Sequence, residues 1–291
     1  MLSIVYHLRD LFFRLQLRLH SSHKYDVDGS LASDSQKSNY VSAVLSVVGD
    51  PKEFHEFRRK NSYREILEHM NYKQGSLYFD SIQEIRNKLQ IDLNWEEIKK
   101  NDDVGNPIKY KYKSIGELSP TTLRYVNVGL QIKELFGDSL KSAVEIGAGY
   151  GGQARILDEF FGLASYTIYD LPEVNELIAK YLSCFKLNFN LQFGDIDQTE
   201  DTKWDLVVSN YAFSELPKSL QFEYVKKVFL NSRRGFVIMN SGLSNVTGRS
   251  EGKLQAKELL DLIPGSTLKE ETPLTGPDNY LLTWGLEETN K

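Results

Sequence analysis

The residues with the most chemical content are the glycines of Gly147-Ala-Gly-Tyr-Gly-Gly152 and the acidic side chains Glu145, Asp170, Asp195 and Asp205. The glycines stand between a short apolar run, Ser142 to Ile146, and a stretch with helical spacing, Gln153 to Phe161. Glycine lets the chain turn sharply there and lets a ligand approach the main chain closely. The start of the following helix adds free N–H groups and a positive dipole end, which favour a carboxylate or phosphate. Asp170 ends the next apolar run, Tyr166 to Tyr169. A carboxylate accepts two hydrogen bonds, so it can hold both hydroxyls of a ribose. Its plainer use is as a helix cap ahead of Pro172. These residues predict a nucleotide-like cofactor and leave its class open, because Gly147, Gly149 and Gly152 also fit the G-x-G-x-x-G spacing of dinucleotide sites.

Such residues need a sheet to hold them. From residue 142 the sequence alternates apolar runs and helical spacing: Phe189 to Phe193, Asp205 to Ser209 and Phe236 to Met239 read as strands, and Glu173 to Phe185, Ser219 to Leu230 and Glu251 to Leu262 as helices. This alternation implies a parallel sheet with helices on both faces. Ser266 to Thr272 and Tyr280 to Trp284 flank a turn-rich segment and read as an antiparallel hairpin. Upstream, Thr121 to Phe136 is a helix stopped by Gly137. Residues 40–100 are helical in spacing, with Pro51 opening a charged segment that runs through Met70, while 21–39 and 101–119 read as loops. In Met1 to His20, Leu8, Leu11, Phe12, Leu15 and Leu19 follow helical spacing among arginines. That is a basic amphipathic helix, suited to packing on its own domain, to self-association or to a membrane surface. The expected organisation is therefore a mainly helical region, 1–119, that caps the site, followed by an α/β, Rossmann-like cofactor domain, 120–291.

Three further features narrow the cofactor. Glu145 makes the turn read Glu-x-Gly-x-Gly-x-Gly, Asp195 follows the third strand in Phe193-Gly-Asp-Ile196, and Asp205-Leu-Val-Val-Ser-Asn-Tyr211 forms the fourth strand. As an ordered set these look like the class I S-adenosylmethionine-dependent methyltransferases. Together with Tyr169-Asp-Leu-Pro172, Ser209-Asn-Tyr-Ala-Phe-Ser-Glu-Leu216 and Asn279-Tyr-Leu-Leu-Thr-Trp284, the chain resembles the sugar O-methyltransferases of bacterial surface-polysaccharide clusters over about residues 120–285. The resemblance implies S-adenosyl-L-methionine as cofactor. It implies that Glu145, Gly147, Gly149 and Gly151 line the methionine end, that Asp170 holds the ribose with Leu171 against the adenine, that Asp195 and Ile196 flank the adenine, and that Asn210 lies near the sulfonium.

Methyl transfer to a hydroxyl needs alignment and a base. Glu215 is the best-placed carboxylate for that role, since it follows the fourth strand, with Tyr211 and Ser214 as acceptor contacts. All five histidines lie in the first 69 residues, so a histidine base would have to be His55 or His69. Some sugar methyltransferases share a divalent metal with their substrate, but no clustered ligand spacing demands a metal here. The net charge of −5 disfavours nucleic acid as partner. The single cysteine, Cys184, excludes a disulfide framework within the chain, fits a reducing cytoplasm and reads as an inert core thiol. No apolar stretch is long enough to span a membrane and no signal peptide is evident, so the expected location is cytoplasmic, or peripheral at the inner face of a membrane if the first helix binds lipid. The competing readings are a methyltransferase of another small molecule, a nicotinamide-dependent oxidoreductase, and a non-catalytic binding subunit on the same fold.

Overall fold

Val144, Ile146, Val207 and Val208 come from runs buried on both sides, as central parallel strands require. In the computed structural model, which describes residues 34–65, 67–244 and 249–286, these runs lie at the middle of a seven-stranded sheet. Its strands are β3 (Ser142–Ile146), β4 (Ser165–Tyr169), β5 (Asn190–Phe193), β6 (Trp204–Asn210), β7 (Ser232–Met239), β8 (Thr267–Glu270) and β9 (Tyr280–Trp284). Their spatial order is β5-β4-β3-β6-β7-β9-β8. The first five are parallel, and β9 runs antiparallel to both β7 and β8. The chain reverses direction across the sheet between β3 and β6, which opens a crevice at the carboxyl ends of those strands. This order, with a closing antiparallel hairpin, is the α/β, Rossmann-like sheet of class I methyltransferases.

Helices cover both faces. On one lie α6 (Pro120–Phe136), α7 (Gly152–Phe161) and α8 (Pro172–Leu182); on the other, the four-residue α9 (Ala212–Glu215), α10 (Lys218–Tyr224), which runs on through a π-helical turn over Val225–Phe229, and α11 (Ala256–Leu262). Ser119 caps α6 by accepting from the Thr122 N–H at 3.1 Å, with Pro120 at its first position and Gly137 at its end.

The region ahead of the sheet supplies α1 (Asp34–Gly49), α2 (Pro51–Glu56), α3 (Asn61–Arg64), α4 (Tyr72–Leu89), α5 (Trp95–Lys99) and a small hairpin of β1 (Tyr110–Tyr112) and β2 (Gly116–Leu118). Two expectations change here. Residues 34–39 belong to α1, not to a loop, and 101–119 contains the β1–β2 hairpin, whose Tyr110, Tyr112 and Leu118 are buried. The segment from Pro51 to Met70 is also not one helix. It breaks after Glu56 because Phe57 and Arg58 turn inward and are fully buried. The basic helix expected over Met1 to His20 lies outside the described residues. Cys184 is exposed, not a core thiol, because α8 ends at Leu182 and Cys184 falls in the turn beyond it.

These pieces share one core with the sheet. A single apolar cluster runs from Val44 and Ile82 through Leu123 and Ala143 to Leu281. Within it, the buried Arg58 bonds Glu68 at 2.5 Å, Asp102 at 3.1 Å and the Asn101 carbonyl at 2.8 Å. Glu68 also accepts from Thr121 of α6 at 2.6 Å, and Asp102 from the Ser119 hydroxyl at 2.8 Å. Arg58 stands 4.6 Å from the ring centre of Tyr150, whose own ring meets Phe57 at 5.8 Å, Tyr125 at 6.0 Å and Tyr181 at 4.8 Å. Tyr150 belongs to the glycine turn. The turn is therefore anchored from below by aromatic packing contributed by both parts of the chain.

Candidate active site

Successive residues of a strand point to opposite faces. Ala143, Tyr166, Ile168, Leu206 and Val208 belong to the core beneath α6–α8, whereas Val144, Ile146, Tyr169 and Val207 belong to the other core. Glu145, Asp170 and Asn210 continue the first series. All three therefore emerge at the carboxyl edge of the sheet on the face that α6, α7 and the N-terminal helices cover.

The glycine turn joins them. Gly147, Gly149 and Gly151 have φ of +73°, +63° and +91°, a region that side-chain-bearing residues avoid. A Cβ on Gly147 would stand 2.0 Å from the Cβ of Ala212, so the turn after β3 and the segment after β6 are in direct contact. Asp170 accepts from the Leu171 N–H at 2.8 Å and from the Gly149 N–H at 3.2 Å. Burial nonetheless pushes its carboxyl up to about 6. Glu145, 1% exposed, accepts from the Tyr166 phenol at 2.9 Å, and burial drives it up to about 8. Asn210 donates to Gln153 of α7 at 3.1 Å, Gln153 donates on to the Tyr125 carbonyl at 3.2 Å, and the Asn210 Oδ1 is buried without a partner.

Leu171 packs on the same core as α8. Asp195 is exposed and closes its own loop, accepting from the Asp197 N–H at 3.0 Å and the Gln198 amide at 2.8 Å. The neighbouring Ile196 leans on the opposite core and gives its carbonyl to Lys227 at 2.8 Å. Asp205 sits at the far end of β6, where it accepts from the Lys141 and Ser142 N–H groups at 2.8 and 3.1 Å. It ties strand starts together and takes no part in the glycine edge.

After β6 the backbone enters the left-handed region at Tyr211, φ +70°. The Tyr211 phenol donates to Glu271 of the β8–β9 connection. Glu271, 4% exposed, also accepts from the Thr275 N–H and hydroxyl, both at 2.8 Å, and from Asn279 at 2.9 Å. Tyr78 of α4 is buried in the same cluster; burial raises its phenol to about 12 and holds that of Tyr211 well above the ordinary tyrosine value. Both phenols keep their protons at neutral pH and can orient a ligand oxygen by hydrogen bonds. Ser214 is buried, with its hydroxyl bonded to the Tyr211 carbonyl at 2.6 Å and to Asn240 at 2.8 Å. Glu215 is half-buried and accepts from the Asn240 amide at 3.1 Å.

Helices from the N-terminal region close over this edge. Leu67 lies 3.1 Å from where a Cβ of Gly149 would stand. Tyr40 of α1 is close enough to Asp170 for that carboxylate to help burial raise its phenol. His55 and His69 are exposed. His55 lines a shallow cleft with Pro51, Glu53 and Lys60, which shares no residue with the glycine edge. Among the described residues, no group of three or more His, Cys, Asp or Glu side chains is placed to hold a metal ion, and no helix is long and apolar enough to cross a membrane.

Sequence reading passed over Arg124, Tyr78, Tyr40 and Glu271. Arg124 carried a signal: it is an arginine early in a helix whose neighbours Leu123, Val126 and Leu130 announce burial, and it is itself only 6% exposed. Glu271 carried none, because its value depends on a connection that folds back onto Tyr211.

No protein-family model matches the chain, and no curated protein matches it. Solved structures resemble it at low identity. Mitomycin 7-O-methyltransferase MmcR aligns at 16% identity over 56% of this chain and 54% of its own, with a TM-score of 0.43. The pyocyanin biosynthetic protein PhzM aligns at 15% over 58% and 57%, with a TM-score of 0.42. The methyltransferase domain of bacterial CtHen1 aligns at 14% over 55% and 97%, with a TM-score of 0.41. The chain thus matches about half the length of the first two.

Proposed function

We propose that this chain is an S-adenosylmethionine-dependent O-methyltransferase acting on a sugar hydroxyl, in the making of a surface polysaccharide. The observation that carries the reading is the meeting of Glu145, Asp170 and Asn210 with a left-handed glycine turn on one face of the reversed sheet. The residues fit the cofactor. The turn is a cradle that a single Cβ would obstruct, and Asn210 keeps an orphaned buried acceptor there. Asp170 would hold the ribose with Leu171 beside the adenine, Asp195 and Ile196 would flank the adenine rim, and Glu145 with Gly147, Gly149 and Gly151 would hold the methionine end. When bound, the cofactor supplies a methyl group already activated on a sulfonium.

The chain's own residues then position the acceptor. Tyr211, whose phenol proton is held by Glu271, presents its oxygen to the acceptor hydroxyl. Ser214 keeps the Tyr211 carbonyl and Asn240 in place. Glu215, oriented by the Asn240 amide, takes the hydroxyl proton. The helical region ahead of the sheet, residues 1–119 in this reading, caps the edge and selects the acceptor. The protein works in the cytoplasm, with its basic segment Met1 to His20 at a membrane or a second copy.

Calorimetric titration with S-adenosylhomocysteine, alongside NAD(H) and with Asp170→Ala as control, tests the cofactor. Binding of S-adenosylhomocysteine that weakens at least tenfold in the variant is expected. Binding of NAD(H) instead would replace the reading with an oxidoreductase. Mass-spectrometric assay of methyl transfer to a panel of nucleotide sugars and lipid-linked sugars tests the acceptor, and transfer confined to non-sugar hydroxyls would overturn that part.

A further inference from the structure

α6 carries a polar stripe on the face turned to the β8–β9 connection. Asn127 and Gln131 both donate to the Thr272 carbonyl, at 3.0 and 2.7 Å. Thr272 follows Glu271, the carboxylate that holds the Tyr211 phenol. Arg124 stands one turn before Asn127 on the same face. Its guanidinium carbon lies 5.9 Å from the ring centre of Tyr211 and 5.3 Å from that of Tyr125. Tyr78 of α4 completes the group, with Arg124 and Glu271 both acting on its phenol. Arg124 is thus part of the cluster around Tyr211, the residue assigned to the acceptor.

Two polar atoms of this stripe are buried without a hydrogen-bond partner, the Arg124 Nε and the Asn127 Oδ1, in residues 6% and 1% exposed. Among the described residues Arg124 enters no ion pair, whereas the equally buried Arg58 pairs with two carboxylates. Glu271 does not serve, because its two oxygens already accept from Tyr211, Thr275 and Asn279. The ring faces of Tyr125 and Tyr211 offset part of the cost of a dry cation, but they leave the Nε–H without an oxygen. We infer that the missing anion belongs to the acceptor: Arg124 receives the carboxylate of an acidic sugar, such as a hexuronate, whose neighbouring hydroxyl Tyr211 holds for methylation, and Asn127 accepts from a second hydroxyl of the same ring. This rests on the proposed sugar O-methyltransferase and narrows its substrate class. One guanidinium fork matches the two oxygens of one carboxylate. A diphosphate would bring a second negative charge against Glu271.

Saturation-transfer NMR on the protein loaded with S-adenosylhomocysteine compares methyl glucuronide with methyl glucoside, methyl galacturonide with methyl galactoside, and uridine diphosphate as a phosphate probe. At least one acidic sugar is expected to bind on the order of ten- to a hundredfold more tightly than its neutral partner, the range of a hydrogen bond to a charged group. Arg124→Met should erase that preference and leave the affinity for S-adenosylhomocysteine within a factor of about three. Arg124→Lys, which keeps the charge and loses the fork, should retain part of the preference, and it keeps the test open if the methionine variant fails to fold. Equal binding of acidic and neutral sugars overturns the inference, as does binding of no sugar at all. Binding of uridine diphosphate that falls in Arg124→Met, with no acid preference among the sugars, gives the guanidinium to a phosphate and overturns it too. A loss of about tenfold or more in S-adenosylhomocysteine affinity in Arg124→Met gives the residue to the cofactor instead. Wild type that binds no S-adenosylhomocysteine overturns the proposed cofactor, whereas binding confined to neutral sugars leaves the cofactor standing and removes only the acidic acceptor.

Discussion

At the scale of single residues, the structure is most informative where a charge is kept out of water. Glu145 titrates at about 8 instead of 4.5 because burial penalises its anion, and the Tyr166 phenol offsets only part of that penalty. The folded protein therefore holds a proton that the unfolded chain has released. Stability from this group is complete below pH 4.5 and is lost as pH rises toward 8. Asp170 adds a slope of the same sign between 3.8 and about 6. Glu145→Gln should thus flatten the fall in urea midpoint between pH 4.5 and 8 and leave only the Asp170 slope, which ends near pH 6. Urea titrations of both proteins across that range check this, and identical slopes above pH 6 would show that Glu145 is ionised in the fold. The sequence exposed Glu145 by its place before the glycines. It did not show that Glu145 would be dry, because that depends on α6 covering the strand.

At the scale of elements, the glycine turn is held by packing that the sequence showed unevenly. β3, β6 and β7 were legible as short runs of Val, Ile, Leu or Phe beside glycines and polar turns, β4 as a short Tyr- and Ile-bearing run and β5 by its alternation. The segment from Pro51 to Met70 was not. Arg58 and Arg59 stand side by side in a charged stretch, yet Arg58 is fully buried and Arg59 is exposed. Periodicity cannot tell a latch from a solvated face when the partners, Glu68 and Asp102, come from other segments. Arg58→Met would leave both carboxylates buried without their cation, and removal of one partner from a buried pair costs about 3–5 kcal/mol. Urea unfolding should register a loss of that size. A loss below about 1 kcal/mol, the worth of an exposed pair, would mean that the pair is open to water. The β1–β2 hairpin escaped notice for a related reason, since its Tyr110-Lys-Tyr112 is too short to show alternation against the lysines around it.

At the scale of the whole molecule, the proposed site draws on residues from both ends of the described chain. The sheet supplies Glu145, Asp170 and Asn210, and segments ahead of α6 lay Leu67 and Tyr40 beside the turn and Asp170. A ligand that reaches the main chain at Gly149 must meet that cover, so its binding energy is shared with the cover's closed state. One of the two apolar clusters draws on residues as far apart as Val44 and Leu281, and it transmits the stabilisation. Saturating S-adenosylhomocysteine at 100 times its dissociation constant adds about 2.7 kcal/mol to the folded state. Hydrogen exchange should therefore slow at backbone amides of α2 and α3 as well as at the glycine turn, by factors that converge on the same free energy. Slowing confined to residues 142–172 would show instead that the cover opens independently of the ligand. In that case acceptor choice would rest on the sheet side of the site, with Tyr211 and Glu271.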